Sequence, residues 1–318
     1  MADDVYPYDA ALYDRSFLNC YQRQGAVMLA ERVPDLPELF HRCLISTDAV
    51  LEHVVRAGVP KYDFPNDLLD PDALGRLGVT REYVPFETFG EARPTVLAAI
   101  GDVGYAIAFI DVFYLPHTPE YRRDHVVHTI TLVDHDAAAD RWSVLDDNRA
   151  SVLCRYEYSG QIVADAYDNG RLRHVSWFRS GPYDAADAAR GSAVAFAELL
   201  AGFSDSRRLL REVADLATDP WRTPARVYDL LYDAFALLEG SRTCLGTYLD
   251  RHPEHEAARA PVADLVARYR DVRNNLMVGR ATGRVDVARL GDRCAELGAA
   301  EDALLATLRT AVPLRATS

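Results

Sequence analysis

The spacing of apolar and polar positions changes near residues 180–190, from a mixture of helical and strand spacing to helical spacing. Before that point, runs at helical spacing mix with runs that alternate with period two and are rich in Val, Ile and Thr. After Gly181-Pro182 the pattern is almost wholly helical. In the first part we predict helices at 20–32, 36–57, 71–77 and 91–101, and strands at 79–86, 104–115, 126–134, 141–146, 152–158 and 171–178. In the second part we predict helices at 187–202, 205–217, 224–248, 255–276 and 286–311.

This order of elements predicts an α+β fold in two domains. The chain has 318 residues, more than one typical hydrophobic core organises. We expect a first domain at 1–150, in which a helix packs on an antiparallel sheet, and a mainly α-helical second domain at 151–318.

Composition narrows the class of protein. The net charge of −13 gives no basic face for nucleic acid and no attraction to an anionic membrane. The sequence shows neither an apolar signal segment at residues 1–10 nor 18 consecutive apolar residues. Five scattered cysteines, odd in number and without CxxC spacing, argue against a disulfide framework or a zinc ribbon. These are Cys20, Cys43, Cys154, Cys244 and Cys294. We therefore expect a cytoplasmic protein with free thiols.

Cys20 is the cysteine whose position suggests chemistry. It lies at the predicted start of a helix, where Asn19 or Ser16 is a candidate N-cap. The positive end of the helix dipole stabilises a thiolate, which is the form that attacks carbonyl groups. A buried structural cysteine is the alternative interpretation.

A nucleophilic cysteine needs a base and a residue that orients it. His128 begins the predicted strand at 126–134, whereas His125, if extended, would point to the opposite face. Asp146 ends the next strand, and a hairpin would bring it back beside His128. Asp147 would point the other way and is the weaker candidate. The sequence thus predicts a catalytic triad of Cys20, His128 and Asp146.

Residues 111–147 resemble the N-terminal domain of BtrH-like proteins, acyltransferases of the butirosin-biosynthesis type that are related to bacteriocin-processing cysteine peptidases of the papain-like clan. The matching residues are Asp111, Phe113, Tyr114, Leu115 and Pro116, then His128 and Asp146, with Cys20 as the early cysteine before a helix. The resemblance covers roughly residues 10–150, and the helical part that follows looks similar to the family's C-terminal domain.

The resemblance implies a papain-like catalytic domain followed by a helical accessory domain. It implies transfer of an acyl group from an acyl carrier protein thioester to a small-molecule amine in secondary-metabolite biosynthesis, with no cofactor. Two positions depart from the pattern. Asp14 stands where such enzymes often carry a Gln that donates to the oxyanion, and Asp134-His135-Asp136 replaces the usual Gly-Tyr-Asp turn. The first departure leaves the oxyanion donors unassigned beyond the Cys20 backbone N–H.

Other interpretations remain open. A cysteine amidase, peptidase, thioesterase or cyclase would use the same triad, and an inactive papain-like module would serve as a scaffold. The sequence offers several His and Asp residues between 117 and 136, but no HExxH helix, so we expect no metal. We expect no nucleic-acid or membrane partner. The helical part could support a homodimer or dock the carrier protein. Arg207, Arg208 and Arg211, or Arg122 and Arg123, are the basic candidates for docking an acidic carrier.

Overall fold

The computed structural model describes residues 4–66 and 68–311 and has an α+β fold. The chain separates into two compact units, Met1–Leu36 with Pro71–Asp184, and Pro37–Asp70 with Ala185–Ser318. The boundary that we expected at residue 150 is therefore not where the chain divides. Two strands beyond it complete the sheet of the first unit, and residues 37–70 belong with the helices of the second.

The first unit is built on a seven-stranded sheet in which every pairing is antiparallel. Its strands are β1 (Asp4–Val5), β2 (Val79–Pro85), β3 (Ala106–Asp111), β4 (Val127–Asp136), β5 (Arg141–Asp147), β6 (Leu153–Ser159) and β7 (His174–Ser180). Their order across the sheet is β1-β6-β5-β4-β3-β7-β2. The predicted hairpin of β4 and β5 is confirmed, and a register shift between Leu132 and Asp134 marks a bulge in it.

Helices cover both faces of this sheet. They are α1 (Cys20–Ala30), α3 (Pro71–Arg76), α4 (Phe89–Val103) and α5 (Gly160–Asp168), and a 3₁₀ turn at Val112–Tyr114 follows β3. Helix α1 packs on β3, β4 and β7. On the opposite face Phe89 of α4 and Tyr167 of α5 pack together, and Phe89 contacts the fully buried Trp142. The expected arrangement of a helix that carries Cys20 and packs on an antiparallel sheet is thus confirmed.

The second unit is helical. It contains a 3₁₀ segment at Leu36–Arg42, the short helix α2 (Thr47–Val50) with a π-helical continuation at Leu51–Arg56, and 3₁₀ turns at Lys61–Asp63 and Pro253–His255. Its longer helices are α6 (Ala185–Gly202), α7 (Arg208–Ala217), α8 (Pro224–Arg251), α9 (Glu256–Thr282) and α10 (Val287–Ala311). A buried ion pair joins Arg242 to Glu301 at 2.8 Å, and the Tyr269 hydroxyl donates to the same carboxylate at 2.6 Å. These bonds satisfy charges that would be costly to bury alone.

Among the described residues, no helix is both long and apolar enough to span a membrane.

Candidate active site

Helix α1 begins at Cys20 because Asn19 caps it. The Asn19 side chain accepts a hydrogen bond from the Gln22 backbone N–H, and the Gln22 side chain accepts one from the Asn19 N–H, which completes a capping box. The other N-cap candidate, Ser16, instead donates its hydroxyl hydrogen to Asp14 at 2.8 Å. Cys20 therefore occupies the first helical position, as the sequence predicts.

Two consecutive buried side chains fix this helix to the strands that carry the other candidate residues. Gln24 donates to the Thr129 carbonyl oxygen on β4 at 2.6 Å and accepts from the Thr131 hydroxyl at 3.2 Å. Arg23 forms an ion pair with Asp147 on β5 and donates to the Tyr13 carbonyl oxygen at 2.6 Å. Because Gln24 lies one turn after Cys20, this anchoring also sets the position of the thiol.

The Cys20 thiol lies beside the His128 imidazole near the start of β4, close enough for the charge of that ring to act on it. The Thr129 hydroxyl, on the other face of the strand, is buried and has no hydrogen-bond partner among the described residues. Of the five cysteines, Cys20 is partly exposed, whereas the other four are buried.

The imidazole of His128 links the thiol to Asp146. Its Nε2 lies 2.7 Å from Asp146 Oδ1. An ionised carboxylate can only accept, so Nε2 carries the hydrogen and Nδ1 remains for the Cys20 sulfur. Asp146 is fully buried, and Oδ1 also accepts from the Asp147 backbone N–H at 2.8 Å. The structure thus brings Cys20, His128 and Asp146 together in the predicted order.

The charges of these groups stabilise one another. Burial would raise the pKa of the Cys20 thiol, but the positive charge of His128 and its hydrogen bond outweigh burial and lower that pKa from 9.0 to about 7. Burial would lower the pKa of His128, yet the charges of Asp146 and Cys20 raise it well above 6.5. Burial would raise the pKa of Asp146, but His128 and His117 hold it well below its usual range. These shifts favour the thiolate–imidazolium pair over the neutral thiol and imidazole.

His117 is a member of this network that the sequence analysis missed. Its Nε2 lies 3.0 Å from Asp146 Oδ2, and the Tyr158 hydroxyl donates to its Nδ1 at 2.6 Å. Its ring stacks on Tyr156 with the centroids 4.0 Å apart. Both oxygens of the buried carboxylate therefore face a histidine. His117 follows Leu115-Pro116 in a loop, where no periodicity predicts which way a side chain points.

The alternatives to His128 and Asp146 have other partners. His125 is exposed, its Nδ1 lies 2.6 Å from Asp111 Oδ2, and its ring stacks on Phe113. Asp147 pairs with Arg15 and Arg23. The strand alternation used to separate these neighbours therefore agrees with the geometry.

The His and Asp residues between 117 and 136 do not gather at one point, although His117 and His128 both contact Asp146. His135 packs on Trp142 and lies 3.2 Å from Asp140. It is seven residues beyond His128 along β4, a separation of roughly 20 Å. Within residues 4–66 and 68–311, no three His, Cys, Asp or Glu side chains are placed to hold a metal ion.

Two of the three arginines considered near α7 for docking an acidic carrier have carboxylate partners. Arg207 is buried and forms ion pairs with Asp205 and Asp302. Arg208 pairs with Glu52 and Glu212. These carboxylates neutralise the charges that a carrier protein would need to meet, so Arg207 and Arg208 no longer support a docking surface.

The pKa shift of Cys20 predicts the pH dependence of its reactivity. A thiol whose pKa is lowered keeps its thiolate down to lower pH, so alkylation by iodoacetamide should rise with pH around a midpoint of about 7 and then level off. His128→Ala removes the cation, and burial should then move the midpoint above 9.0. Intact-mass spectrometry between pH 5 and pH 10 measures both curves. A wild-type midpoint near 9 would contradict the thiolate–imidazolium pair.

These features define an α+β protein with a thiol, an imidazole and a buried carboxylate in line at the N-terminus of a helix that packs on an antiparallel sheet. Comparison with protein-family models and with curated protein sequences finds no match for the chain.

Proposed function

We propose that this protein is a cysteine-dependent acyltransferase with a papain-like catalytic unit, which moves an acyl group from an acyl carrier protein thioester to an amine in secondary-metabolite biosynthesis. The observation that carries the proposal is the line of interacting groups from the Cys20 thiol through the His128 imidazole to the buried Asp146 carboxylate, in which His128 Nε2 lies 2.7 Å from Asp146 Oδ1. The choice of donor and acceptor follows the sequence resemblance at residues 111–147.

In the first step the Cys20 thiolate attacks the thioester carbonyl and forms a new S–C bond. The tetrahedral intermediate collapses, the bond to the carrier thiol breaks, and His128 gives its proton to the departing sulfur. The products are acyl-Cys20, neutral His128 and a free carrier thiol. Asp146 keeps the imidazole in the orientation that this proton transfer needs.

In the second step the amine attacks acyl-Cys20. Neutral His128 accepts a proton from the amine nitrogen as the C–N bond forms, and the C–S bond to Cys20 then breaks. The amide leaves, and the thiolate–imidazolium pair is restored. Exchange of a thioester for an amide is downhill, so the cycle needs neither ATP nor a cofactor.

Backbone N–H groups are the candidate oxyanion donors. Helix geometry leaves the Cys20 and Tyr21 N–H without an intrahelical acceptor, and both lie beside the sulfur. Asp14 does not replace the Gln of the family pattern, because its carboxylate accepts from the backbone N–H and the hydroxyl of Ser16. An oxyanion beside an ionised carboxylate would be repelled.

The segment before His128 is a candidate dock for the carrier protein. Arg122 and Arg123 are exposed, and the Arg122 guanidinium lies over the rings of Phe113, Tyr114 and Tyr121 at 5.4 to 5.7 Å. Such cation–π contacts hold the guanidinium in place while leaving its charge available. An acidic carrier that meets these charges would deliver its thioester beside the His128 end of β4.

Transfer and hydrolysis differ in the fate of acyl-Cys20. We expect that acyl-Cys20, formed from an acyl carrier thioester, will lose its acyl group slowly to water and will yield amide with saturable dependence on an added amine. The measurement combines intact-mass spectrometry of the protein with chromatography of the products over a range of amine concentrations.

Two outcomes would replace the proposal. If the acyl group leaves at one rate whatever amine is present, and free acid alone forms, the protein is a hydrolase of the same mechanism. If no carrier thioester or small thioester acylates Cys20, the inactive scaffold interpretation holds.

A further inference from the structure

Four aromatic rings form a contiguous surface on the face of the sheet that α1 covers in part. They are Tyr21 of α1, Tyr83 of β2, Phe109 of β3 and His174 of β7, and we call them the aromatic shelf. The centroid separations are 5.2 Å for Tyr21–Phe109, 5.5 Å for Tyr83–Phe109 and 4.5 Å for Tyr83–His174. No step of the proposed reaction uses these side chains.

The aromatic shelf begins beside the nucleophile. Tyr21 directly follows Cys20, and Phe109 pairs with Thr129 in the β3–β4 register. Thr129 directly follows His128, the residue whose charge acts on the Cys20 thiol. Since neighbouring strands lie about 4.8 Å apart, Phe109 stands one strand away from the position next to His128.

Fixed contacts hold the shelf in shape. The Tyr21 hydroxyl and the Ser176 hydroxyl are 2.8 Å apart, and Ser176 donates to the Glu82 carbonyl oxygen at 2.6 Å. The Tyr21 ring also packs on Phe178, with the centroids 5.9 Å apart. A preorganised surface loses little conformational entropy when a ligand binds to it.

The shelf nevertheless remains open to solvent. Tyr83 is 43% exposed, and Tyr21, Phe109 and His174 are half-buried. Contiguous exposed aromatic groups mark binding sites more often than isolated apolar residues do. The Tyr21–Phe109 pair is tilted, the Tyr83–Phe109 pair is edge-to-face and the Tyr83–His174 pair is stacked, and the aromatic ring of a ligand binds through these same arrangements.

We propose that the aromatic shelf binds an aryl ring of the acyl group carried on Cys20, which makes aryl-bearing acyl groups the preferred donor substrates. The proposal rests on the proposed acyl transfer. The acyl group is the favoured occupant because the shelf includes Tyr21, the direct neighbour of Cys20, and the Tyr21 ring contacts Phe109. Ring–ring contacts favour an aryl chain over an alkyl chain of equal size, and we expect a preference of about tenfold.

The test uses thiol alkylation, which needs the Cys20 thiolate but no acyl transfer. N-benzyl-iodoacetamide and N-hexyl-iodoacetamide are compared on the full-length protein at pH 7.5, with intact-mass spectrometry giving the rate at saturation and the half-saturating concentration. The benzyl reagent should be the more efficient by about tenfold, and Tyr83→Leu and Phe109→Leu should each bring the ratio close to one. Leucine keeps apolar bulk and removes the ring. Tyr62→Leu is the matched control, since Tyr62 is a tyrosine of the second unit with 45% exposure and its loss should leave the ratio unchanged.

Each result decides between defined alternatives. The shelf proposal is wrong if the two reagents alkylate Cys20 with equal efficiency, or if neither Tyr83→Leu nor Phe109→Leu changes the benzyl-to-hexyl ratio. Acylation by a simple acetyl thioester is followed in parallel samples of each variant without the iodoacetamide reagents and reports on the proposed function alone. If the benzyl reagent is preferred but no acyl-enzyme forms, the shelf does not bind an acyl group. If the acyl-enzyme forms but the benzyl reagent is not preferred, the shelf proposal is wrong and the proposed acyl transfer is unaffected.

Discussion

Replacement of Cys20 by alanine should lower turnover by about 10⁴-fold or more, because it removes the atom that carries the acyl group. The variant should keep its fold, since the capping box that starts α1 uses Asn19 and Gln22 and no atom of the Cys20 side chain. Circular dichroism and thermal unfolding test the fold, and intact-mass spectrometry after incubation with a thioester tests for the acyl-enzyme.

The other cysteines provide the control. Cys294 is fully buried in α10, and burial raises the pKa of its thiol to about 12, so it has neither access nor thiolate character. Cys294→Ala should lower stability through the cavity it leaves but keep the activity. An active Cys20→Ala protein, or activity lost only with Cys294, would refute the whole assignment.

Replacement of His128 by alanine should lower the rate by about 10²–10⁴-fold, the usual contribution of a positioned general base. Two effects combine here. The thiolate loses the cation that stabilises it, and the amine in the second step loses its proton acceptor. Single-turnover measurements separate these steps, since acyl-enzyme formation reports the first and amide release the second.

His125→Ala is the matched control for this prediction. His125 lies only three positions away, but its side chain is 63% exposed and pairs with Asp111. Its loss should change the rate by less than about tenfold, because nothing links its ring to the thiol. If His125→Ala and His128→Ala lower the rate equally, the rate depends on the conformation of this segment and not on the His128 imidazole.

The local signals in the sequence were sufficient to predict the central part of the site. Asn19 before an apolar helical run predicts where α1 begins, and thus the place of Cys20. Alternation in the segments that became β4 and β5 predicts the hairpin that returns Asp146 to His128. These predictions depend on neighbours along the chain or on one tight turn, which is where sequence patterns are most informative.

What the sequence did not reveal depends on contacts between distant segments. Strand β7 belongs to the sheet because it pairs with β2 and β3, and nothing near His174 in sequence indicates those partners. Helix α5 was not predicted, although Ser159 caps it. The contact of His117 with Asp146 comes from a loop, and the aromatic shelf is assembled from four separate elements. The domain boundary failed for the same reason, because strand pairing and not composition decides it.

The threading of the chain has a consequence for how the protein is made. Residues 37–70 interrupt the first unit and pack with residues that are synthesised more than a hundred positions later. During translation, helix α1 leaves the ribosome long before the strands that complete its sheet. Residues of the interrupting segment that are buried in the folded protein, such as Leu51 and Val54, cannot pack until residues from Ala185 onward have been synthesised. Completion of each unit therefore requires loop closure over a long stretch of chain, which slows folding. No single cut can release either unit intact. The first unit alone would need a linker in place of residues 37–70 and an end at residue 184, and the second unit alone would need a linker in place of residues 71–184.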